Sequence, residues 1–400
     1  MKVNLLIFVL LLLLTSPMLV EGSTPDTSAD SVVVYTYESL LADPAYDIEG
    51  NFSAFSGIAA EDIEIVRFGD ANEILTRLVA EQDDPKADVV VGIDNALVHL
   101  IEDKAAVLEP YSPANVVDLD QNLVDNLDPD GYLLPYDYGT IALYYQNNII
   151  NASTHSILED LTLEGLLESD LLDMLVVENP KFSSPGLGFL LWTIAVYGDP
   201  DAGVDGLLGQ DWRDWWRSAN DSLTITKSWG EAFDIFFEPS EGKPLMVSYG
   251  TSPAYSYCLW GDNTTSAVVS QEDDTQNAWL QIEGVGLVRD APHKEVGQQF
   301  IDWFLGQELQ SSIATHQWMY PANTKATVPT CFEESALDPS SINRLNNLIS
   351  PEVLADHLVG WQDSWEDVLV ERSIPSFTTE VVVTGLVLLA VMVFVRRRWY

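Results

Sequence analysis

The run ADVVVGIDNAL, residues 87–97, carries an uninterrupted Val-Val-Val-Gly-Ile segment that ends abruptly at Asp94-Asn95. From 87 to 93 the one charge is Asp88, and these seven residues are too few for a buried helix and rich enough in β-branched side chains for a strand. A strand with no polar alternation is buried on both faces, which is the mark of a sheet covered by helices. The same character recurs at Ser31–Thr36 (SVVVYT), Ile63–Phe68, Ile141–Tyr145, Asp173–Val177 and Leu245–Tyr249. Between these runs lie helical patterns. In residues 71–81, Ile74, Leu75, Leu78 and Val79 share a face, and residues 188–197 follow the helix-opening Ser183-Ser184-Pro185-Gly186. Strand and helix in alternation predict an α/β class with a parallel sheet covered on both sides.

With 400 residues and 47% hydrophobic content, the chain can bury two or three cores. Its 18 Lys and Arg against 62 Asp and Glu give a formal charge of -44. Such a field repels phosphate backbones, so a nucleic-acid partner is excluded, and it favours cations. Lys2 followed by Leu5–Leu14, with Gly22 before Ser23, predicts a secretory signal peptide over residues 1–22; a retained N-terminal anchor is its rival. Val381–Val395 is apolar apart from Thr384 and Gly385 and is followed by Arg396-Arg397-Arg398. That is a stop-transfer pattern, and it predicts a C-terminal transmembrane helix within residues 376–400, holding the protein on the extracytoplasmic face of the cell membrane. Cys258 and Cys331 allow one disulfide but no metal cluster. Asn51, Asn151, Asn220 and Asn263 begin formal N-glycosylation tripeptides.

Ligands of open α/β sheets bind beyond the carboxyl ends of the strands. There the chain places Tyr37, Asp70, Asp94-Asn95, the Ser183–Gly186 run, Trp229 and Tyr249. Each also has an ordinary use: Asp70, Asp94 and Ser184 are helix-capping types, and Tyr37 and Trp229 suit a core with a satisfied polar tip. The segment VSYGTSPAYSYCLW, residues 247–260, sets rings among Gly, Thr, Ser and Pro, a mixture that fits neither a core strand nor an amphipathic helix. Catalytic signatures are missing: no Gly-x-Gly-x-x-Gly, Walker, Gly-x-Ser-x-Gly or His-Glu-x-x-His motif occurs, and the five histidines are scattered. A binding protein is expected rather than an enzyme.

Seven ordered segments carry a resemblance: VYTYES (34–39), ADVVVGIDNAL (87–97), PYDYG (135–139), SSPGLGFLLW (183–192), TITKSWGEAF (224–233), VSYGTSPAY (247–255) and QWMYPAN (317–323). Together they resemble the thiamine-binding receptors of ABC importers, from about residue 31 to the Trp361–Trp365 region. The resemblance implies a two-lobed, periplasmic-binding-protein-like (type II) fold that closes on a hinge, without a cofactor. Leu134–Tyr145 and Trp279–Val288 would cross between lobes. Residues 31–133 and 280–370 would form the first lobe and 134–279 the second. The partners would be thiamine, a permease and its ATPase.

Thiamine joins a permanently cationic thiazolium to a flat aminopyrimidine, which calls for aromatic faces and a few polar groups. By the resemblance, Tyr255 and Trp318 flank the thiazolium, Trp229 and Tyr249 add contacts, and Asp70 supplies a carboxylate. Tyr37 and Ser183 approach the hydroxyethyl or phosphate end. Glu38, Gly250 and Ser184 depart from the family pattern beside these positions. Lys227 is the one cation inside a binding motif, which favours thiamine or its monophosphate over the diphosphate. A ferric-ion receptor of the same fold, using Tyr144-Tyr145, is the first alternative, and a secreted hydrolase the second.

Overall fold

The computed structural model describes residues 30–371 apart from positions 151 and 239. Its strands are β1 (Val32–Tyr37), β2 (Ile63–Phe68), β3 (Val89–Asp94), β4 (Leu134–Gln146), β5 (Leu175–Glu178), β6 (Thr224–Thr226), β7 (Leu245–Tyr249), β8 (Thr265–Val268) and β9 (Leu280–Val288), with shorter two-residue pieces. They are linked in the order β2-β1-β3-β9-β4-β7-β5-β6, and β8 adds to β4. The expectation of a parallel sheet is corrected by these pairings. Only the outer strands are parallel, β1 with β2 and β3, and β5 with β6 and β7. The central pairs β3-β9, β9-β4, β4-β7 and β4-β8 are antiparallel. The direction reverses because β4 and β9 are not the ends of βα units but long return strands through the middle of the molecule.

The two-lobed architecture follows from β4. Its residues 134–140 pair with β9, whereas residues 141–145 pair with β7, so one strand serves both halves. The other segment expected to cross does so differently. β9 begins at Leu280 and pairs only on the first side, and the link to the second is the Trp279 carbonyl, which accepts from the Ile141 N–H at 2.9 Å.

Caps fix the helices that reach the cleft. Asp70 accepts from the Glu73 N–H and opens α1 (Ala71–Ala80), whose Ile74, Leu75 and Leu78 are buried. Ser183 caps α2 (Ser184–Tyr197), with Pro185 in its first turn, so this helix starts one turn earlier than its apolar run suggested. α2 is apolar all round and is buried from Pro185 to Tyr197, lying between the second half of the sheet and α3 (Trp212–Ala219). Next come α4 (Trp229–Phe237) and α5 (Pro253–Trp260). The final helix, α6 (Pro351–Glu371), packs on α3 and on Leu97–Leu100, reaching elements of both halves.

The expected signal peptide and C-terminal transmembrane helix lie outside the described residues. Among the described residues no helix is long and apolar enough to cross a membrane. The fold is therefore corrected to a two-lobed binding-protein fold that contains no transmembrane helix among the described residues.

Candidate functional site

Between the halves lies a cleft of about 690 Å³. Tyr37, Asp70, Ser183, Trp229, Tyr249, Tyr255 and Trp318 all line it, although they are spread over 282 positions of the chain, from 37 to 318. The structure thus brings together the seven residues that the resemblance assigns to the ligand, whereas Asp94 and Asn95, at the end of β3, do not line the cleft.

Tyr37 forms the floor because Gly92 makes room for it. Gly92 has φ of +111°, and a Cβ there would stand 2.4 Å from the Tyr37 ring. The Tyr37 hydroxyl donates to Glu283 at 2.7 Å, lies 2.9 Å from the Tyr136 hydroxyl and accepts from Gln317 Nε2 at 2.7 Å. Tyr136 also donates to Glu283, at 2.8 Å, and Gln281 Nε2 bridges Glu283 and the Tyr249 hydroxyl. Burial raises the Tyr37 and Tyr249 phenols well above their ordinary range, and the carboxylates around them add to it.

One wall is aromatic. Trp229 lies 4.8 Å from Phe233, Phe233 lies 5.9 Å from Tyr255, and Tyr255 meets Trp318 at 5.4 Å with an interplanar angle of 89°. The indole N–H of Trp229 donates to Ser248 Oγ, which leaves its ring free to face the cleft. Tyr255 and Trp318 touch edge to face, so in this conformation they form a corner rather than the two parallel plates of a sandwich. Trp318 sits in the left-handed backbone region, φ 61°, where a bulky residue is strained. The strain is held by its N–H to the Ile313 carbonyl and by the preceding Gln317, which also accepts from the Leu41 N–H.

α5 was not foreseen as a helix. Its rings serve different neighbours around the axis: Tyr255 faces Trp318, Tyr257 reaches Glu334, and Cys258 forms a disulfide with Cys331 in the helix Thr330–Ser335. An apolar stripe of the usual kind is therefore lacking. Gly250, a departure from the family pattern, is required here, since a Cβ would come within 2.6 Å of Thr140 Oγ1.

The cleft is acidic. Glu38, Asp43, Asp70 and Glu283 line it, and among the described residues no lysine or arginine does. His316, the one histidine among the described lining residues, is bound to Asp43 at 2.9 Å. Burial raises Asp70 above the ordinary carboxyl range, opposed by the Glu73 N–H that it caps. Asp70 is thus both a helix cap and a cleft carboxylate. Glu283 was missed by sequence reading. Its signal was present: Gln281 and Glu283, two residues apart, are polar positions on one face of the otherwise apolar run LQIEGVGLV.

The ferric pair finds no support in the geometry. Tyr144 is stacked on Phe236 at 4.5 Å in the core, Tyr145 faces His155, and neither lines the cleft.

These features define a receptor that holds a small cationic or aromatic solute, and residues 51–311 match the family model described as bacterial extracellular solute-binding protein; the chain belongs to that family. Among its relatives is the thiamine-binding periplasmic protein of Escherichia coli (strain K12), 29% identical over 355 residues, 88% of this chain and 97% of the relative. The thiamine-binding periplasmic protein of Brucella melitensis is 28% identical over 350 residues, covering 86% and 94%. Among solved structures, a periplasmic thiamin binding protein superimposes with a TM-score of 0.67 at 27% identity, over 85% of this chain and 96% of the other. A ferric binding protein from Campylobacter jejuni matches in fold, TM-score 0.65, at 15% identity over 84% and 99%. Members of this family bind and hand over solutes and are not catalysts. The relatives are named periplasmic proteins, and this overturns the expected location on a C-terminal membrane anchor.

Proposed function

We propose that this protein binds thiamine in the cleft and delivers it to an ABC importer. The observation that carries the reading is the chemistry of the walls: an aromatic corner beside four carboxylates, with no lysine or arginine among the described lining residues. A permanently cationic heteroaromatic ring is the kind of solute that such walls favour over an anion. The names of the relatives agree. In this reading the thiazolium lies against the faces of Tyr255 and Trp318, Trp229 and Tyr249 contact the remaining ring, and Asp70 accepts from the amino group or offsets the charge. Tyr37 and Ser183 receive the hydroxyethyl end, where the N-terminus of α2 tolerates at most a single phosphate. The lobes are residues 31–133 with 280–370, and 134–279, with α6 strapped across them.

Titration calorimetry of the purified protein tests this. Thiamine is expected to bind at least as tightly as its monophosphate, and the diphosphate at least tenfold more weakly than thiamine. Binding of the diphosphate alone would overturn the proposed orientation, and no heat with any of the three would overturn the receptor reading.

A further inference from the structure

The floor of the cleft holds a row of buried acids on three adjacent strands. Glu283 on β9 is the cross-strand partner of Asp94 on β3 at one side and of Asp137 on β4 at the other. Neighbouring strands are only about 4.8 Å apart. The three residues are 2%, 4% and 0% exposed for Asp94, Glu283 and Asp137, so water screens them little. Their partners differ. Asp94 accepts from the Ala96 and Leu97 N–H groups, and Glu283 accepts from the hydroxyls of Tyr37 and Tyr136 and from Gln281. Among the described residues no N–H or hydroxyl reaches the Asp137 carboxyl, and the group against it is Glu283.

The other groups facing Glu283 are Tyr249 from β7 and, through Tyr37, Gln317; none is a base. Two buried carboxyls at this spacing cannot both be ionised without a cation. The donors around Glu283 favour its charge, and the bare Asp137 then keeps the proton. Burial first, and then the charge of Glu283, hold Asp137 well above the ordinary carboxyl range. Of this row, Glu283 is the member that lines the cleft.

We infer that Glu283 is the buried counter-ion of the bound cation, and that the Asp137–Glu283 pair releases a proton to solvent when that cation arrives. This rests on the thiamine reading and deepens it by naming the carboxylate and the proton that binding moves. The cation takes the role that the Asp137 proton has in the empty cleft, so affinity rises with pH wherever the pair still holds its proton, by up to tenfold per unit.

The experiment is titration of the whole protein with thiamine in buffers of differing protonation enthalpy, across pH 5 to 8, on wild type, Glu283→Gln and Asp137→Asn. Wild type is expected to release a fraction of a proton approaching one per thiamine. Glu283→Gln is expected to bind about tenfold more weakly and to release none, and Asp137→Asn to release none whatever its affinity. Melting curves of the ligand-free variants verify that each is folded. Thiamine binding by wild type with no buffer-dependent heat would overturn the proton release. Wild-type affinity in folded Glu283→Gln would overturn the counter-ion. No thiamine binding by wild type would overturn the receptor reading and this inference with it, whereas the two preceding outcomes leave the receptor reading standing.

Discussion

Trp318→Leu is expected to weaken thiamine binding by about thirtyfold while the melting temperature of the ligand-free protein moves little. The indole face next to a desolvated cation contributes about 2 kcal/mol or more, and leucine keeps bulk and hydrophobicity but offers no such face. Leucine also inherits the same left-handed backbone conformation, φ 61°, so the strain stored in the turn is not relieved and does not blur the comparison. The residual apolar contacts of Trp318, with Ala254, Ala314 and Phe332, are of a kind that leucine retains in part. Tyr255→Leu should act in the same direction, and Tyr255→Phe should be mild because the ring face remains. A neutral isostere of thiamine with an uncharged ring should bind wild type poorly and lose little more in the leucine variants. A sharp fall in melting temperature with unchanged affinity would make Trp318 a packing residue and sink the assignment.

The corner made by these rings explains what a sequence can and cannot give. That Tyr255 and Trp318 belong together was implied by the family resemblance that the ordered segments carry, and both line the cleft. Their perpendicular contact did not, since the angle between two side chains 63 positions apart depends on the turn at Ile313–Gln317 and on the disulfide that ties α5 to Thr330–Ser335. β3 and β7 were legible as short β-branched runs, and α1 from its cap and apolar face. The direction of β4 was not, because an all-buried strand reads alike whether its neighbours run parallel or antiparallel. Glu283 escaped for a related reason. The apolar run around it hints at burial, but its importance arises from the cross-strand partners Asp94 and Asp137, which the sequence does not place beside it.

Asp199→Ala is expected to cost about 3–5 kcal/mol of stability, the range for removing one partner from a buried ion pair. Asp199 follows α2 and is fully buried. Its Oδ2 accepts from the indole N–H of Trp212 at 3.0 Å, from that of Trp361 at 2.7 Å and from Arg213 at 3.0 Å. Its Oδ1 accepts from Arg213 at 3.2 Å and from the Asp201 N–H at 3.0 Å. One carboxylate thereby joins α2, α3 and α6, and alanine would leave two buried indole donors and a guanidinium with a lost partner. Burial alone would push this carboxyl up, but the donors from Trp212, Arg213 and Trp361 outweigh it and hold it below its ordinary value. A carboxylate depressed in this way stabilises the fold above its unfolded pKa of about 3.9, and the contribution disappears as pH falls through the lower folded value. Denaturant melts should therefore show a wide gap between wild type and Asp199→Asn at pH 7 that narrows steadily below about pH 4. Asp199 does not line the cleft, so the folded fraction of the asparagine variant should bind thiamine as wild type does. An alanine variant as stable as wild type at neutral pH would show that α6 is held by its apolar face alone, through Trp361, Trp365 and Val368, and that the buried carboxylate adds nothing to the strap.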